Sequence, residues 1–216
     1  MINWLNVPKN DKRFVIIENG VSLCNFKKIS TKEHSKDNHI IMISRFAKMK
    51  DQETLIRAMQ YLESNADLVL VGDGPTRKHC EDIAKGMNLS HKIHFLGERT
   101  DIVELLNNST IGVQSSKWEG FGLTAVEIMA AHIPVIATNV DGLRQVVENA
   151  GLLFEVGDAK DLAKIIDTLL QNHVLYDNVA LKCYERAQLY DIKNTVNSYQ
   201  EIYKSLIPAE NTMHKK

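Results

Sequence analysis

Two glutamates with seven residues between them, Glu119 and Glu127, lie at the start of a strongly apolar segment. Glu127 is the only charged residue from 121 to 133, which is typical of a helix that is buried on most sides. A buried carboxylate needs polar partners, and an ionised carboxylate only accepts hydrogen bonds, so hydroxyl groups suit it. Gly120 and Gly122 would let a ligand approach the backbone, and the N–H groups that begin the helix suit an anion. The segment is therefore a candidate site for phosphate and hydroxyl groups.

Two cations follow another apolar segment: Arg45 comes directly after it, and Lys50 directly precedes a helical pattern. Together they could neutralise a diphosphate, since arginine offers a planar fork of donors and lysine a point charge. A solvated basic loop is the alternative interpretation for these two residues alone. Three further loops, at Gly72–Pro75, Gly97 and Asp141–Gly142, also follow a strand pattern, and each could be a plain turn. Because all of these loops are expected at one end of a sheet, their agreement favours a shared ligand site.

Short apolar segments alternate with longer amphipathic ones along the chain. Strands are predicted at residues 14–18, 40–44, 68–71, 92–96, 111–114, 135–138 and 152–154. Helices are predicted at about residues 51–62, 76–87, 101–106, 122–131, 143–148 and 158–170, with two more between 174 and 207. Continuous apolar strands that alternate with helices favour an α/β fold with a doubly wound, Rossmann-like parallel sheet and extra carboxyl-terminal helices. Ligands bind such sheets at the carboxyl ends of the strands, where the candidate loops lie.

Composition argues against several classes of protein. The 216 residues carry a formal net charge of −1 and are 44% hydrophobic, so the chain can bury a core and has no basic field for nucleic acid. Its three cysteines lie far apart and its eight histidines show no metal-like grouping, which indicates reduced thiols and no metal site. No apolar run approaches the roughly 20 residues of a membrane span. The chain is therefore expected in the cytoplasm, with peripheral attachment to the inner face of the membrane left open.

These motifs, in this order, resemble the carboxyl-terminal donor-binding domain of glycosyltransferase family 4, the group 1 glycosyltransferases with the GT-B fold. The resemblance covers most of the chain and rests on segments with matched order and spacing: Asn19-Gly20-Val21 with Phe26, Ser44-Arg45-Phe46 with Lys50, Gly72-Asp73-Gly74-Pro75, Phe95-Leu96-Gly97, the segment from Ser116 to Leu123 with Glu127, and Pro134-Val135-Ile136-Ala137-Thr138. Two glutamates at this spacing would be a weak signal by themselves, whereas the ordered set is specific. The resemblance implies one half of a GT-B fold.

The resemblance implies a role for each candidate side chain. Arg45 and Lys50 would hold the donor's diphosphate and stabilise the departing nucleotide, and Glu119 would bind hydroxyls of the transferred sugar. These three are the expected catalytic residues. Glu127 would accept hydrogen bonds from the ribose hydroxyls. The implied roles agree with the chemistry of the residues, since cations suit phosphate and carboxylates suit hydroxyl groups.

The resemblance also implies donor contacts for the backbone. Phe121, Gly122 and Leu123 would face the sugar and the phosphates, and the loop near Gly97 would border the base. The family transfers a sugar from a nucleotide diphosphate sugar with retention of anomeric configuration and needs no bound metal, so no cofactor is expected. Polysaccharide or glycoconjugate synthesis is the expected setting, with a glycan or a lipid-linked glycan as the acceptor.

Four residues depart from the usual pattern of the family. Asp51 and His132 stand where glycine is common, Asp141 replaces the first of a usual pair of glycines, and Gln145 replaces a frequent glutamate. The main motif is intact. The departures nevertheless leave open which sugar is transferred and whether the site is fully active.

Domain organisation is the largest question that the sequence leaves open. GT-B enzymes have two such domains, and the amino-terminal one holds most of the acceptor. Residues 1–18 are expected to be a linker or a remnant of that domain, residues 19–207 the donor-binding domain, and residues 208–216 a disordered tail. The isolated chain is then expected to be inactive. A non-catalytic nucleotide-sugar binding module or truncated remnant is the first alternative, and another GT-B enzyme, such as a phosphorylase or an epimerase, is the second.

Overall fold

A single parallel sheet organises the molecule, whose computed structural model describes residues 14–26 and 38–206. Its strands are β1 Asn38–Ile43, β2 Ala66–Val71, β3 Ile93–Gly97, β4 Ile111–Gln114, β5 Val135–Thr138 and β6 Leu152–Phe154. The strand order is β3-β2-β1-β4-β5-β6, and every pairing is parallel. The chain builds outward from β1 to β3 and then begins the other half of the sheet at β4. This doubly wound, Rossmann-like arrangement confirms the predicted fold class.

Eight helices within the described residues connect and cover the strands: α1 Gln52–Ala58, α2 Arg77–Gly86, α3 Ile102–Asn107, α4 Leu123–Ala130, α5 Asp141–Val147, α6 Ala159–Gln171, α7 His173–Ala187 and α8 Ile192–Leu206. Because α4 packs against β4 and β5 and also against α7, its side chains Ala125, Val126, Ile128 and Met129 are completely buried. The predicted buried helix at 122–131 and the two helices predicted after residue 174 are therefore confirmed.

The core lies on both faces of the central strand. Ile40, Ile41 and Met42 of β1 are almost completely buried, which explains why this strand is continuously apolar rather than alternating. β1 pairs with β2 along its whole length, but with β4 only at Ile40 and Ile41. Beyond the end of that ladder, the side-chain amide of Gln114 donates to the Ile43 carbonyl at 3.4 Å. The two strands thus stop pairing before their carboxyl ends, at the place where doubly wound sheets have their ligand crevice.

The segment before β1 does not join the sheet. The prediction of a strand at residues 14–18 is wrong, since residues 14–20 form no strand and the side chains of Phe14, Val15 and Ile16 are exposed. β-branched residues favour a strand only where a neighbouring strand and a covered face are available to them. Val21 does form a parallel bridge to Asp191, and its N–H donates to the Tyr190 carbonyl at 2.8 Å. The start of the sequence-predicted domain is therefore tied to its last helices.

The carboxyl-terminal helices differ in how firmly they are packed. Arg186 of α7 donates to the carbonyls of Gln145 and Val146 at 2.7 and 3.1 Å, which ties α7 to α5. In contrast, α8 buries none of its residues against the rest of the described chain. Among the described helices, none is both long enough and apolar enough to cross a membrane. The expected linker up to residue 13 and the expected tail at 208–216 lie outside the described residues.

Candidate functional site

Two loops meet at the crevice between β1 and β4. The β1 loop, residues 44–51, connects β1 to α1, and the β4 loop, residues 115–122, connects β4 to α4. The Lys117 N–H donates to the Met49 carbonyl at 2.8 Å, and the buried Ser115 hydroxyl donates to the Asp51 carbonyl at 2.9 Å. The loops therefore form one connected structure, which carries candidate residues from distant parts of the sequence.

Lys50 and Glu119 form an ion pair across this crevice, in which Lys50 Nζ donates to Glu119 Oε2. The two side chains are 22% and 17% exposed, so the pair is largely shielded from water. Shielding strengthens the attraction between the charges, but it also costs each charge part of its hydration. The fold thus brings together two of the three expected catalytic residues, which lie 69 positions apart in the sequence.

Arg45, the third expected catalytic residue, lines a neighbouring groove of about 1000 Å³. The other walls are the ends of β1 and β2, the loops that follow β2 and β3, and Thr124 in the first turn of α4. The Arg45 guanidinium is exposed and makes no hydrogen bond or ion pair with any of the described residues. Lys50 and Glu119 are not among the residues that line this groove. Arg45 is therefore open to a phosphate group, whereas Lys50 already has a partner.

The loop after β2 packs tightly on the β1 loop. The φ angles of Gly72 and Gly74 are +125° and +148°, and a Cβ atom there would lie 2.2 Å from the Ser44 carbonyl oxygen or 2.3 Å from the Phe46 carbonyl oxygen. The Phe46 N–H also donates to the Asp73 carbonyl at 2.8 Å. Only glycine permits this close approach of two backbones. These glycines therefore do more than make a turn, because they hold the β1 loop in place.

Gly97 ends β3 at the edge of the same groove. Its φ angle is +71°, and its carbonyl accepts a hydrogen bond from the Gly72 N–H at 2.7 Å. The three residues that follow it, Glu98, Arg99 and Thr100, line the groove. The loop that follows Gly97 thus lines the groove. Its contact with the base of a donor stays a prediction.

The start of α4 presents its backbone next to the β4 loop. Gly122 precedes the helix with a φ angle of +93°, and a Cβ atom there would lie 2.7 Å from Leu143 Cδ2. The first turn holds no acidic residue, and no side chain in the described chain caps the helix. Phe121 packs edge to face on Tyr190 with ring centroids 5.5 Å apart, while Leu123 is 42% exposed. The first N–H groups of α4 therefore have no capping side chain to compete with an anion.

Glu127 lies in different surroundings from Glu119. It is half-buried in α4, and burial raises the pKa of its carboxyl group above the ordinary range. Its side chain makes no hydrogen bond or ion pair within the described part of the chain. No described protein group supplies the polar partners that a buried carboxylate needs. The hydroxyl groups of a ligand could supply them.

Two of the four departures from the family pattern occupy left-handed backbone. Asp51 has a φ angle of +51° and His132 one of +57°, which explains why glycine is common at both positions. Both side chains make contacts that glycine would lack. Asp51 is 6% exposed and accepts a hydrogen bond from the Thr54 hydroxyl at 2.7 Å, and the His132 ring stacks on Tyr184 with centroids 3.5 Å apart. The other two departures are exposed side chains of α5.

Sequence reasoning missed three residues of this region. Thr124 lines the groove, Lys117 pairs with Asp51, and the Thr54 hydroxyl also binds Asp51. Thr124 could have been suspected, because it directly follows the backbone segment implied in donor binding. Lys117 occupies a position of the motif that has no fixed residue type, so the sequence held no signal for it.

Groupings that could hold a metal are absent from residues 14–26 and 38–206, since no three His, Cys, Asp or Glu side chains are suitably clustered there. Whether the reaction needs a metal stays a prediction. All three cysteines are free, and burial raises the pKa of Cys80 to about 11 and that of Cys183 to about 12. These two thiols are therefore poor nucleophiles near neutral pH.

Comparison with known proteins places this chain and its fold in one family. Residues 25–190 match the family model of the glycosyl transferases group 1, and the chain belongs to this family. The N-acetyl-alpha-D-glucosaminyl L-malate synthase of Bacillus anthracis is 32% identical over 169 residues, which are 76% of this chain and 44% of that protein. The N,N'-diacetylbacillosaminyl-diphospho-undecaprenol alpha-1,3-N-acetylgalactosaminyltransferase of Campylobacter jejuni is 29% identical over 212 residues, which are 92% of this chain and 56% of that protein.

Solved structures of glycosyltransferases share the fold. HepE of Anabaena, in complex with UDP and glucose, has a TM-score of 0.80 and 26% identity and covers 88% of this chain, which matches 56% of HepE. A second HepE structure, in complex with UDP-glucose, is equally similar. The chain spans about half the length of the curated relatives it matches.

Proposed function

We propose that the chain is the donor-binding half of a retaining glycosyltransferase, which transfers a sugar from a nucleotide diphosphate sugar to a glycan or a lipid-linked glycan. The observation that carries the proposal is the crevice between β1 and β4, where Lys50 and Glu119 meet beside the uncapped start of α4. Arg45 lines the adjoining groove, and Glu127 lies on α4 itself. Cations and open N–H groups suit a diphosphate, and carboxylates suit hydroxyl groups.

In the proposed reaction, the bond between the anomeric carbon and the diphosphate breaks, and the departing phosphate oxygen gains negative charge. The anomeric carbon forms its new bond to an acceptor hydroxyl oxygen, whose proton passes to the departing diphosphate. Arg45 and Lys50 would stabilise that charge, so we propose no requirement for a metal. Glu119 would hold hydroxyls of the sugar, and Glu127 would hold those of the ribose. Since Lys50 and Glu119 are paired with each other, donor binding would open their ion pair.

The proposed donor and acceptor draw on the relatives. The HepE complexes with UDP and UDP-glucose support a uridine diphosphate sugar as the first donor to test. The name of the Campylobacter relative specifies a diphospho-undecaprenol-linked acceptor, which supports a lipid-linked glycan and a role in glycoconjugate or polysaccharide synthesis. The name of the Bacillus relative instead specifies L-malate, so the names of these two relatives support chemically different acceptors to test. We propose a cytoplasmic location, with peripheral contact to the membrane where the acceptor is lipid-linked.

The first test is thermal unfolding of the chain with UDP, UDP-glucose and uridine. A ligand at 100 times its Kd stabilises the folded state by about 2.7 kcal/mol, which gives a measurable rise in Tm. UDP is expected to raise the Tm more than uridine, because the diphosphate meets Arg45 and Lys50. Sodium sulfate at the same ionic strength is the control for unspecific anion binding. Absence of any shift with nucleoside diphosphates at millimolar concentration would contradict the proposal.

A non-catalytic nucleotide-sugar binding module is the alternative function. The observation that favours it is the ion pair of Lys50 and Glu119, in which two of the proposed catalytic groups already satisfy each other. We propose that the chain binds its donor but needs a second domain for transfer, because the acceptor must be held against the anomeric carbon with water excluded. Adding the amino-terminal domain of a relative, in trans or by fusion ahead of Met1, should then produce transfer. Donor binding without transfer in every such combination would favour the binding module.

A further inference from the structure

A second ion pair joins the β1 loop to the β4 loop beside the pair of Lys50 and Glu119. Lys117 Nζ lies 3.1 Å from Asp51 Oδ1, and the Asp51 side chain is 5% exposed while that of Lys117 is 54% exposed. The β1 loop contributes the cation to one pair and the anion to the other. Its adjacent residues Lys50 and Asp51 therefore each hold the opposite loop.

Asp51 is held at both its side chain and its backbone. Its Oδ2 accepts a hydrogen bond from the Thr54 hydroxyl at 2.7 Å. Its carbonyl accepts from the Ser115 hydroxyl at 2.9 Å and from the Thr54 N–H at 3.1 Å. Its φ angle of +51° lies in the left-handed region, which glycine adopts most readily and aspartate only occasionally. The backbone alone would be served better by glycine, so the contacts of the carboxylate must offset this cost.

The two ion pairs would respond differently to a bound donor. Under the proposed function, Lys50 and Glu119 give up each other for the diphosphate and the sugar. Once the donor is bound, their ion pair is open and no longer holds the two loops together. The Lys50 ammonium must nevertheless stay in place at that stage to bind the diphosphate. The pair of Asp51 and Lys117 involves no proposed donor ligand and can persist. Because the Lys117 N–H also binds the Met49 carbonyl, cross-loop contacts flank Lys50 on both sides.

We propose that Asp51 is a positioning residue: with Lys117 and Thr54 it holds the β1 loop against the β4 loop, so that the Lys50 ammonium stays at the crevice after its pair with Glu119 opens. This inference rests on the proposed function of Lys50 as a ligand of the diphosphate. A carboxylate beside a phosphate-binding lysine would by itself weaken anion binding. Lys117 offsets that charge, and its ion pair with the carboxylate connects the two loops.

The test measures the Kd of UDP by calorimetry in the full chain, with uridine as the reference ligand. Asp51→Asn keeps the size of the side chain and removes its charge, and Lys117→Met removes the partner. Asp51→Gly removes the side chain and relieves the left-handed backbone. We expect each variant to weaken UDP binding about three- to tenfold, which lies in the lower part of the range of coupling between residues in contact. Uridine binding should stay unchanged, because uridine carries no phosphate.

Coupling to Lys50 separates a positioning role from a merely structural one. In the Lys50→Met background, Asp51→Asn should not change UDP affinity further, because no ammonium remains to be positioned. Glu53→Gln is the matched control, since this carboxylate lies two residues further along the chain and pairs with Arg57 in its own helix at 2.8 Å. It should leave UDP binding unchanged. A ligand-free measurement is hydrogen exchange of the Lys117 amide, which should become faster in Asp51→Asn.

Several results would overturn the inference. The first is that Asp51→Asn and Lys117→Met bind UDP as tightly as the wild type does. The second is that Asp51→Asn lowers UDP affinity by the same factor in the Lys50→Met background as in the wild type. The third is that hydrogen exchange of the Lys117 amide does not change in Asp51→Asn. A different pattern would show that the proposed function is at fault. If Lys50→Met binds UDP like the wild type, Lys50 does not hold the diphosphate, and the positioning role falls with it.

Discussion

Glu119 and Glu127 belong to one motif with seven residues between them, and the structure gives them opposite surroundings. Glu119 lies in the β4 loop, which reaches across the crevice, so its carboxylate is paired with Lys50. Glu127 lies in α4, where packing against the sheet and α7 sets its position, and it has no partner among the described residues. One carboxylate is therefore neutralised by the protein, while burial raises the pKa of the other.

This difference predicts different consequences of ligand binding. A sugar hydroxyl at Glu119 has to compete with an existing ion pair, so part of its interaction energy is offset. A ribose hydroxyl at Glu127 gives a desolvated carboxylate its first hydrogen bond, and such a bond costs the protein no earlier contact. We therefore expect Glu127 to contribute more to nucleotide affinity, and Glu119 to contribute mainly to the choice of donor.

The largest effect is expected from Lys50→Met, which removes the cation of the pair. A hydrogen bond to a charged group contributes about 1.5–3 kcal/mol, so the Kd of UDP should rise about 10- to 100-fold. Lys48→Met is the matched control, because Lys48 is an exposed lysine of the same loop. It should change the Kd by less than about twofold in calorimetry at physiological salt. If both variants weaken UDP binding equally, the loop attracts UDP through its overall positive charge and not through a specific contact of Lys50.

Glu127→Gln should weaken the binding of uridine itself, by about tenfold, because the ribose loses a charged acceptor. Calorimetry or nuclear magnetic resonance titration with uridine measures this directly. Glu119→Gln serves as the comparison and should leave uridine affinity unchanged. If the two glutamine variants lose uridine affinity to the same extent, the two carboxylates do not have the separate roles assigned to them.

A smaller change with the opposite sign is expected for Glu119→Gln and UDP. The variant frees Lys50 from its ion pair, and even an exposed ion pair is worth about 0.2–1 kcal/mol, so UDP should bind about 1.4- to fivefold more tightly. UDP-glucose should lose its advantage over UDP, because the proposed contact to the sugar is gone. Competition between the two nucleotides measures both effects. Weaker UDP binding would mean that Glu119 supports the phosphate site instead of opposing it.

The smallest expected effect concerns stability and pH. Because burial raises the pKa of Glu127 in the folded state, the folded protein holds this proton more tightly than the unfolded chain does. Its contribution to stability is fully present below the unfolded pKa of about 4.3 and is lost as the pH rises through the raised folded pKa. Glu127→Gln lacks this loss, so its stability in urea unfolding should gain on the wild type as the pH rises across that window. If the free energies of unfolding of Glu127→Gln and the wild type change with pH in the same way, Glu127 is not an unpartnered, desolvated carboxylate.

Local pattern was sufficient for most of the fold and for the candidate residues. The central strand is continuously apolar because both of its faces are covered, and the alternation of strands and helices then leads to a parallel sheet. Spacing along the chain made Arg45, Lys50, Glu119 and Glu127 candidates, because the loops that follow parallel strands share one edge of the sheet. The same reasoning failed at residues 14–18, because no strand of the described chain pairs with this β-branched segment.

Pairing across the crevice could not be inferred from the sequence. Whether Glu119 meets Lys50 depends on how far two loops extend from neighbouring strands, and no local periodicity encodes that distance. The ion pair between Asp51 and Lys117 depends on the same geometry. It also depends on the left-handed backbone of Asp51, which is not evident from the sequence. Residue types and spacing therefore determined which groups are available for the chemistry. The approach of the β1 and β4 loops in the folded chain determined which of those groups are already paired and which are open to a ligand.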